Sequence, residues 1–371
     1  MTPPSPAGSF QRGNLPRLVS LATAVPPHIV RQPEAKRLVG ELFGVERDSE
    51  IARLLAVFDH EAIQQRHVCM PLDWYARDHD FRDKNDRYLE HAVRLASEAA
   101  THALARAGIG ADRIDHLLFV SSTGLATPGV DARIATTLGF RPDVRRTPIW
   151  GLGCAGGAAG LSRARAFALA DPGCHVLLIA LELCSLTFQR NERSKRNLVA
   201  ASLFADGAAA AVVTCEPEHR NGTAPLELAA AGSTLWPETL DVMGWEVDGD
   251  GLHVVFSRDI PTFIRERVRS SLDTFLEANG LDRTALDHVV AHPGGPKVIT
   301  AYEETLGLPP DTLRHAREVL RDCGNMSSPT CLFVLERFME GGDIAPGDIA
   351  VLTALGPGFG AEYVLLRGLP G

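Results

Sequence analysis

Three residues of different chemistry stand on glycine-bearing turns of this 371-residue chain. They are Cys154 in Gly153-Cys154-Ala155-Gly156-Gly157, His292 before Pro293-Gly294-Gly295-Pro296, and Asn325 in Gly324-Asn325-Met326-Ser327-Ser328. A thiol leading into the helical stretch from Leu161 to Leu169 feels the positive end of the helix dipole, which predicts a lowered pKa and a nucleophile near neutral pH. Flanking glycines are expected to let a thioester come close to the sulfur. His292 beside the thiol would hold it as a thiolate–imidazolium pair, and attack on a thioester carbonyl would give an acyl-enzyme. Asn325 donates hydrogen bonds and exchanges no proton. With the imidazole it can form an oxyanion hole, worth about 3 to 4 kcal/mol per donor. Such a pair suits decarboxylative condensation: loss of carbon dioxide from a malonyl thioester yields the enolate directly, so oxyanion stabilisation suffices and no strong base is needed. Singly, each residue also fits a bland role, as a small buried hydrophobe, a satisfied histidine or a turn former.

The elements that must position these groups alternate. Leu89 to Ala107 reads as an amphipathic helix, His116 to Ser122 and His175 to Glu182 as buried strands, and Ile260 to Ala278 as a second long helix. The second half repeats the first in kind and order. Ala107-Gly108-Ile109 before the strand at Ile114 is echoed by Asn279-Gly280-Leu281 before the strand at Leu286. The Cys154 turn and its helix correspond to Gly324 to Ser328 and the helix through Met339. Strand His175 to Leu181 matches Asp348 to Ala354, and Phe204-Ala205-Asp206-Gly207 resembles Phe359-Gly360-Ala361-Glu362. The duplication predicts two α/β halves related by a pseudo-twofold, with helix N-termini and strand ends meeting at the centre. Papain-like proteases also use Cys, His and Asn, with the latter two about 130 to 150 residues downstream. Cys154 lacks their sequence context and lies far from the N-terminus, and those enzymes show no such repeat.

Composition narrows the class. A chain 45% hydrophobic and 22% charged builds a large core, and a net charge of −9 argues against nucleic acid or anionic membrane as a general partner. Seven cysteines at irregular spacing contain no Cys-x-x-Cys pair, so neither a disulfide framework nor a zinc site is expected, and a reducing cytoplasm fits. Met1 to Pro16 is proline-rich and polar with no signal-like apolar core, and no apolar run reaches membrane-spanning length. The expected division is a flexible segment 1–17, a Cys-bearing half 18–224 and a half 225–371 carrying His and Asn.

From Leu18 to Leu366 the chain resembles the type III polyketide synthases, the chalcone-synthase-like branch of the thiolase-fold condensing enzymes. The anchors are the Cys154 turn, Leu203-Phe204-Ala205-Asp206-Gly207-Ala208, the His292 and Asn325 turns, and Gly356-Pro357-Gly358-Phe359-Gly360. The resemblance implies a homodimer of five-layered αβαβα subunits, no tightly bound cofactor and no metal. The substrates would be small acyl-CoA molecules: a starter loaded on Cys154, then malonyl-CoA extension and cyclisation. It implies a gatekeeper role for Phe204, cavity-lining roles for Thr187 and Ser327, and a glycine-rich floor from Gly356 to Gly360 that includes Phe359. Val254 and Trp245 stand where plant members have a second gatekeeper phenylalanine and a small residue. Arg66 and Lys297 are the candidate coenzyme A contacts, since the basic residues of plant enzymes are mostly missing from Glu61 to His67. The combination of Glu182 to Phe188 with Met243 to Trp245 resembles the bacterial branch, whose members often take fatty acyl starters to alkylpyrones or alkylresorcinols. A malonyl-CoA-only, tetrahydroxynaphthalene-type synthase and a non-condensing acyl-binding homologue are the alternatives.

Overall fold

The computed structural model describes residues 15–44, 53–59, 61–216 and 224–370. Residues 1–14 of the expected flexible segment lie outside the described residues, and Arg17 already opens strand β1 (Arg17–Ala24). A small antiparallel pair follows, β2 (His28–Arg31) with β3 (Gln65–Val68). The first half is completed by β4 (His116–Val120), β5 (Arg145–Ile149), β6 (His175–Leu183) and β7 (Asp206–Thr214). The second half has β8 (Leu226–Leu235), the antiparallel pair β9 (Met243–Asp248) and β10 (Gly251–Phe256), then β11 (His288–Ala291), β12 (Ile349–Gly356) and β13 (Gly360–Gly368).

The repeat expected from the sequence is explicit in the sheet, whose strand order is β11-β12-β13-β8-β1-β7-β6-β4-β5. Outward from β1 run β7, β6, β4 and β5; outward from β8 run β13, β12 and β11. In both directions the second strand is antiparallel to its neighbours, and the strands beyond it pair in parallel. The two runs pair at Arg17↔Glu227 and Leu18↔Leu226, which puts the pseudo-twofold between β1 and β8. Among the described residues, β5 has no counterpart in the second half.

Alternation along β6 explains why its sequence is a continuous apolar run. Leu177, Ile179 and Leu181 join the cluster under helix Phe81–Ala107, whereas Val176, Leu178 and Ala180 face the opposite core. A strand buried on both faces shows no polar side. Helices Gly156–Ala170 and Thr330–Gly341 pack on each other and touch both runs of strands, while the helical stretch Ile260 to Ala278 and helix Pro296–Leu306 cover the second half from outside. The result is the αβαβα order of layers.

Two elements differ from their expected form. The first long helix starts at Phe81 rather than Leu89, because Asp80 accepts a hydrogen bond from the Asp83 amide at 2.8 Å and caps two polar turns that carry no apolar period. The second contains a π-helical segment, Ile264–Val268, between Ile260–Phe263 and Arg269–Ala278.

Candidate active site

The two central helices meet at their N-termini, and glycine makes the approach possible. Cys154 occupies the tight turn Gly153–Ala155, which runs directly into helix Gly156–Ala170. A Cβ on Gly157 would lie 2.3 Å from the Ser328 carbonyl oxygen and 2.7 Å from Cys331 Sγ. One on Gly356 would lie 2.5 Å from the Leu152 carbonyl oxygen and 2.6 Å from Ala155 Cβ. These glycines therefore close the cysteine's turn against the second half.

His292 and Asn325 reach the same centre from the second half. His292 extends β11, its amide donating to the Thr353 carbonyl at 2.9 Å. Asn325 is held by a bridge to Phe204: its amide donates to Leu203 at 2.9 Å, and the Ala205 amide donates back to its carbonyl at 2.9 Å. Its side-chain Nδ2 donates to the Gly294 carbonyl at 3.2 Å, and Oδ1 accepts from the Ser327 amide at 2.8 Å. Gly294 in turn sits against the His292 ring, where an added Cβ would be 3.7 Å from Cδ2. The Cys154 thiol lies within hydrogen-bond reach of the Ser327 and Asn325 side chains. Asn325 thus lies near the thiol on one side and bonds to the histidine's loop on the other.

Burial dominates the protonation of this centre. Cys154 is 6% exposed, and its thiol is pushed up to about 11 by desolvation, with the nearby Glu182 charge adding to the rise and Ser327 opposing it. The helix dipole does not overcome this, so the lowered thiol pKa expected from the sequence is not found. His292 is 3% exposed and desolvation drops it to about 3; neither ring nitrogen has a hydrogen-bond partner among the described residues. At neutral pH the resting centre is a thiol and an uncharged imidazole, where the sequence suggested a standing ion pair.

The other expected residues divide. Phe204, Val254 and Cys184 form one cluster with Trp245 against it; Val254 and Trp245 are cross-strand partners on β10 and β9, and the Phe204 and Trp245 ring centres are 6.3 Å apart. Phe204, Val254 and Thr187 line a largely apolar pocket together with Val30, Leu38 and Leu72. Thr187 spends its hydroxyl on the Cys184 carbonyl at 2.8 Å. Cys184 belongs to the same wall and lies close enough to Cys154 to feel its charge. Ser327, with φ of 58°, is at the thiol. Phe359 is fully buried at φ of 39°, packed between Trp236 and Phe263, so its ring belongs to the core rather than to a cavity floor. Arg66 is 3% exposed and lines the cavity, a setting out of reach of a solvated coenzyme phosphate and contrary to the contact expected of it. Lys297 is exposed in the first turn of helix Pro296–Leu306, on the loop that follows His292.

Glu182 is the residue that sequence reasoning passed over. Fully buried on β6, it accepts from the Ser122 amide at 2.9 Å, Thr123 Oγ1 at 2.7 Å and Ser328 Oγ at 3.1 Å, tying the end of β4 to the start of the second half's central helix. Desolvation lifts it to about 7. Its signal was a lone carboxylate inside an apolar strand. Asp206 is similar: it accepts from the Cys69 and Ser185 amides, both at 2.7 Å, which accounts for the acidic residue of the Phe204 motif.

Comparison with known proteins agrees with this architecture. Residues 10–217 match the model for chalcone and stilbene synthases, N-terminal domain, and residues 227–370 match the C-terminal domain of the same family. A provisionally named chalcone synthase of Bacillus subtilis (strain 168) is 39% identical over 357 residues, covering 94% of this chain and 97% of the relative. The 1,3,6,8-tetrahydroxynaphthalene synthase of Streptomyces peucetius subsp. caesius is 39% identical over 350 residues, covering 94% and 92%. The crystal structure of 1,3,6,8-tetrahydroxynaphthalene synthase from Streptomyces coelicolor A3(2), a bacterial type III polyketide synthase, superposes with a TM-score of 0.90 at 29% identity, covering 96% of this chain and all of that one. The chain belongs to the chalcone and stilbene synthase family and is a type III polyketide synthase, a thiolase-fold acyltransferase of the decarboxylating, condensing kind.

Proposed function

We propose that this synthase loads a fatty acyl-CoA starter on Cys154, extends it with malonyl-CoA and cyclises the chain to an alkylpyrone or alkylresorcinol type of ring. The observation that carries the starter class is the largely apolar pocket lined by Val30, Leu38, Leu72, Cys184, Phe204 and Val254, of which Cys184 lies near enough to Cys154 to feel its charge. An alkyl chain entering it removes apolar surface from water at about 25 cal/mol per Å².

In this reading Cys154 is the nucleophile, and His292 takes its proton as the sulfur attacks the starter thioester. The uncharged imidazole can do so because both ring nitrogens are uncommitted among the described residues. Asn325 then stabilises the enolate oxygen left by decarboxylation of the malonyl group, together with protonated or tautomerically suited His292. The amide is held for this by Ser327 and Gly294. Trp245, Val254 and Ser327 would shape the folding of the extended chain, and Gly356 would fix the cysteine's turn. Lys297 remains a coenzyme A contact to test, and Arg66 does not.

A second reading, malonyl-CoA as both starter and extender, is favoured by the 39% identity to a tetrahydroxynaphthalene synthase. Product mass spectrometry after incubation with malonyl-CoA, with and without lauroyl-CoA, separates the two. We expect products whose mass includes the lauroyl group. Product from malonyl-CoA alone, unchanged by lauroyl-CoA, selects the second reading.

Assembly and location complete the proposal. The sheet ends at β5 with an open edge, and Trp150 beside it is 51% exposed, which supports a homodimer formed there. No described helix is long and apolar enough to cross a membrane, and all seven cysteines are free, which supports a reducing, cytoplasmic setting.

A further inference from the structure

Helix Lys195–Leu203 ends against Phe204, and its last turn is closed by groups from remote parts of the chain. The final carbonyls of a helix have no partner inside it. Here the Ser202 carbonyl accepts from the Gln32 side-chain amide at 3.1 Å, and the Leu203 carbonyl accepts from the backbone amide of Asn325 at 2.9 Å. The Ala201 carbonyl accepts from Nη1 of Arg66, which also donates to the Phe204 carbonyl at 3.5 Å. One turn thus carries Phe204, holds the main chain of Asn325 and is capped by a single buried cation.

Arg66 suits that place in charge and in geometry. The carbonyl end of a helix is partially negative and favours a cation, and one guanidinium nitrogen has two hydrogens for two carbonyls. The residue is 3% exposed, and its main chain is fixed by pairing with Val30 on β2. It also packs on the residue before the catalytic amide: a Cβ added to Gly324, which has φ of 74°, would lie 3.4 Å from Arg66 Cβ and 3.1 Å from the Leu203 carbonyl oxygen. Arg66 therefore meets the Asn325 turn from both the helix end and the glycine that opens it. Nε and Nη2 have no partner among the described residues. A buried cation with unused donors is a poor stabiliser, which argues against a purely structural role.

We infer that Arg66 is a positioning residue for decarboxylation: by fixing the end of helix Lys195–Leu203 it sets where the main chain of Asn325, and with it the carboxamide, stands. The inference rests on the role given above to Asn325. A displacement of about 1 Å in a group that must meet a transition state can cost about 100-fold in rate, so a residue that touches no substrate can still govern the step.

Release of labelled carbon dioxide from carboxyl-labelled malonyl-CoA by native protein, Arg66→Met, Asn325→Ala and the double variant tests this. Alkylation of Cys154 by iodoacetamide reports on the rest of the centre, and circular dichroism on folding. Arg66→Met is expected to lower kcat for release at least about tenfold, with KM for malonyl-CoA and the alkylation rate within about twofold of native. Arg66→Lys, which keeps a charged donor for one carbonyl, is expected to recover part of the loss. The double variant is expected to be no slower than Asn325→Ala, because Arg66 acts through that amide. A native rate in folded Arg66→Met, release and alkylation falling in step, or losses that multiply in the double variant would overturn the positioning role. Should the methionine variant not fold, Arg66→Lys alone and with Asn325→Ala carries the same comparison. Native release by Asn325→Ala would contradict the role of the amide and the inference with it, whereas loss in Asn325→Ala with multiplying losses in the double variant would contradict the inference alone.

Discussion

At the scale of single residues, the centre is governed by what burial does to charge. Thiolate is the reactive species, and a thiol held at about 11 ionises in proportion to hydroxide across the neutral range. We therefore predict that the rate of Cys154 alkylation by iodoacetamide, followed by intact-protein mass, rises about tenfold per pH unit from pH 6 to pH 9. A standing ion pair with His292 would give a flat profile over that window. The same shifts act on stability with opposite pH signs. His292 sits below its ordinary 6.5, so its contribution is complete above pH 6.5 and is lost as pH falls toward 3; Cys154 sits above its ordinary 9.0, so its contribution is complete below pH 9 and is lost as pH rises toward 11. Residue identity was legible in the sequence, since cysteine, histidine and asparagine on small-residue turns are chemically conspicuous. Protonation was not, because desolvation depends on neighbours such as Glu182 and Ser327 that only the folded chain brings to the thiol.

At the scale of elements, the glycines after Cys154 matter for helix packing. Gly157→Ala places a methyl group 2.3 Å from the Ser328 carbonyl, whereas Gly173→Ala meets nothing within 4 Å. Overpacking of this kind costs about 1 to 3 kcal/mol. We predict a Tm lowered by several degrees for Gly157→Ala and unchanged for Gly173→Ala in matched thermal melts; equal Tm values would refute the close approach of the two central helices. The sequence showed the position of the Gly157 helix but assigned its small residues to substrate access. It could not show the contact partner, Ser328, which is remote in the chain. The start of helix Phe81–Ala107 was hidden for a related reason, since its first turns are fixed by the Asp80 cap and carry no apolar stripe. Arg66, expected at a coenzyme A phosphate, instead pairs opposite Val30 on β2 and is buried, a placement set by a strand partner remote in the chain.

At the scale of the whole molecule, duplication is the organising fact. Two runs of strands with one order and one set of directions place two helix N-termini at a shared centre, so a cysteine from one half and an asparagine from the other meet. This much could be inferred from repeated strand and turn patterns, because each half carries its own hydrophobic periodicity. What the pattern could not supply was the cavity, whose walls come from β2, β3, helix Gln32–Phe43, helix Lys195–Leu203 and β10. None of those segments repeats across the halves. The duplicated part thus carries the fold and brings the cysteine and the asparagine together, while the pocket is walled by segments that do not repeat.

The most direct measurement of the central assignment is release of labelled carbon dioxide from carboxyl-labelled malonyl-CoA by native protein and by Asn325→Ala, with starter loading on Cys154 read in parallel by intact-protein mass. We predict that release falls by about 100-fold or more in the variant while the acyl adduct still forms. Release at the native rate from a variant that still loads its starter would contradict the role given to the amide.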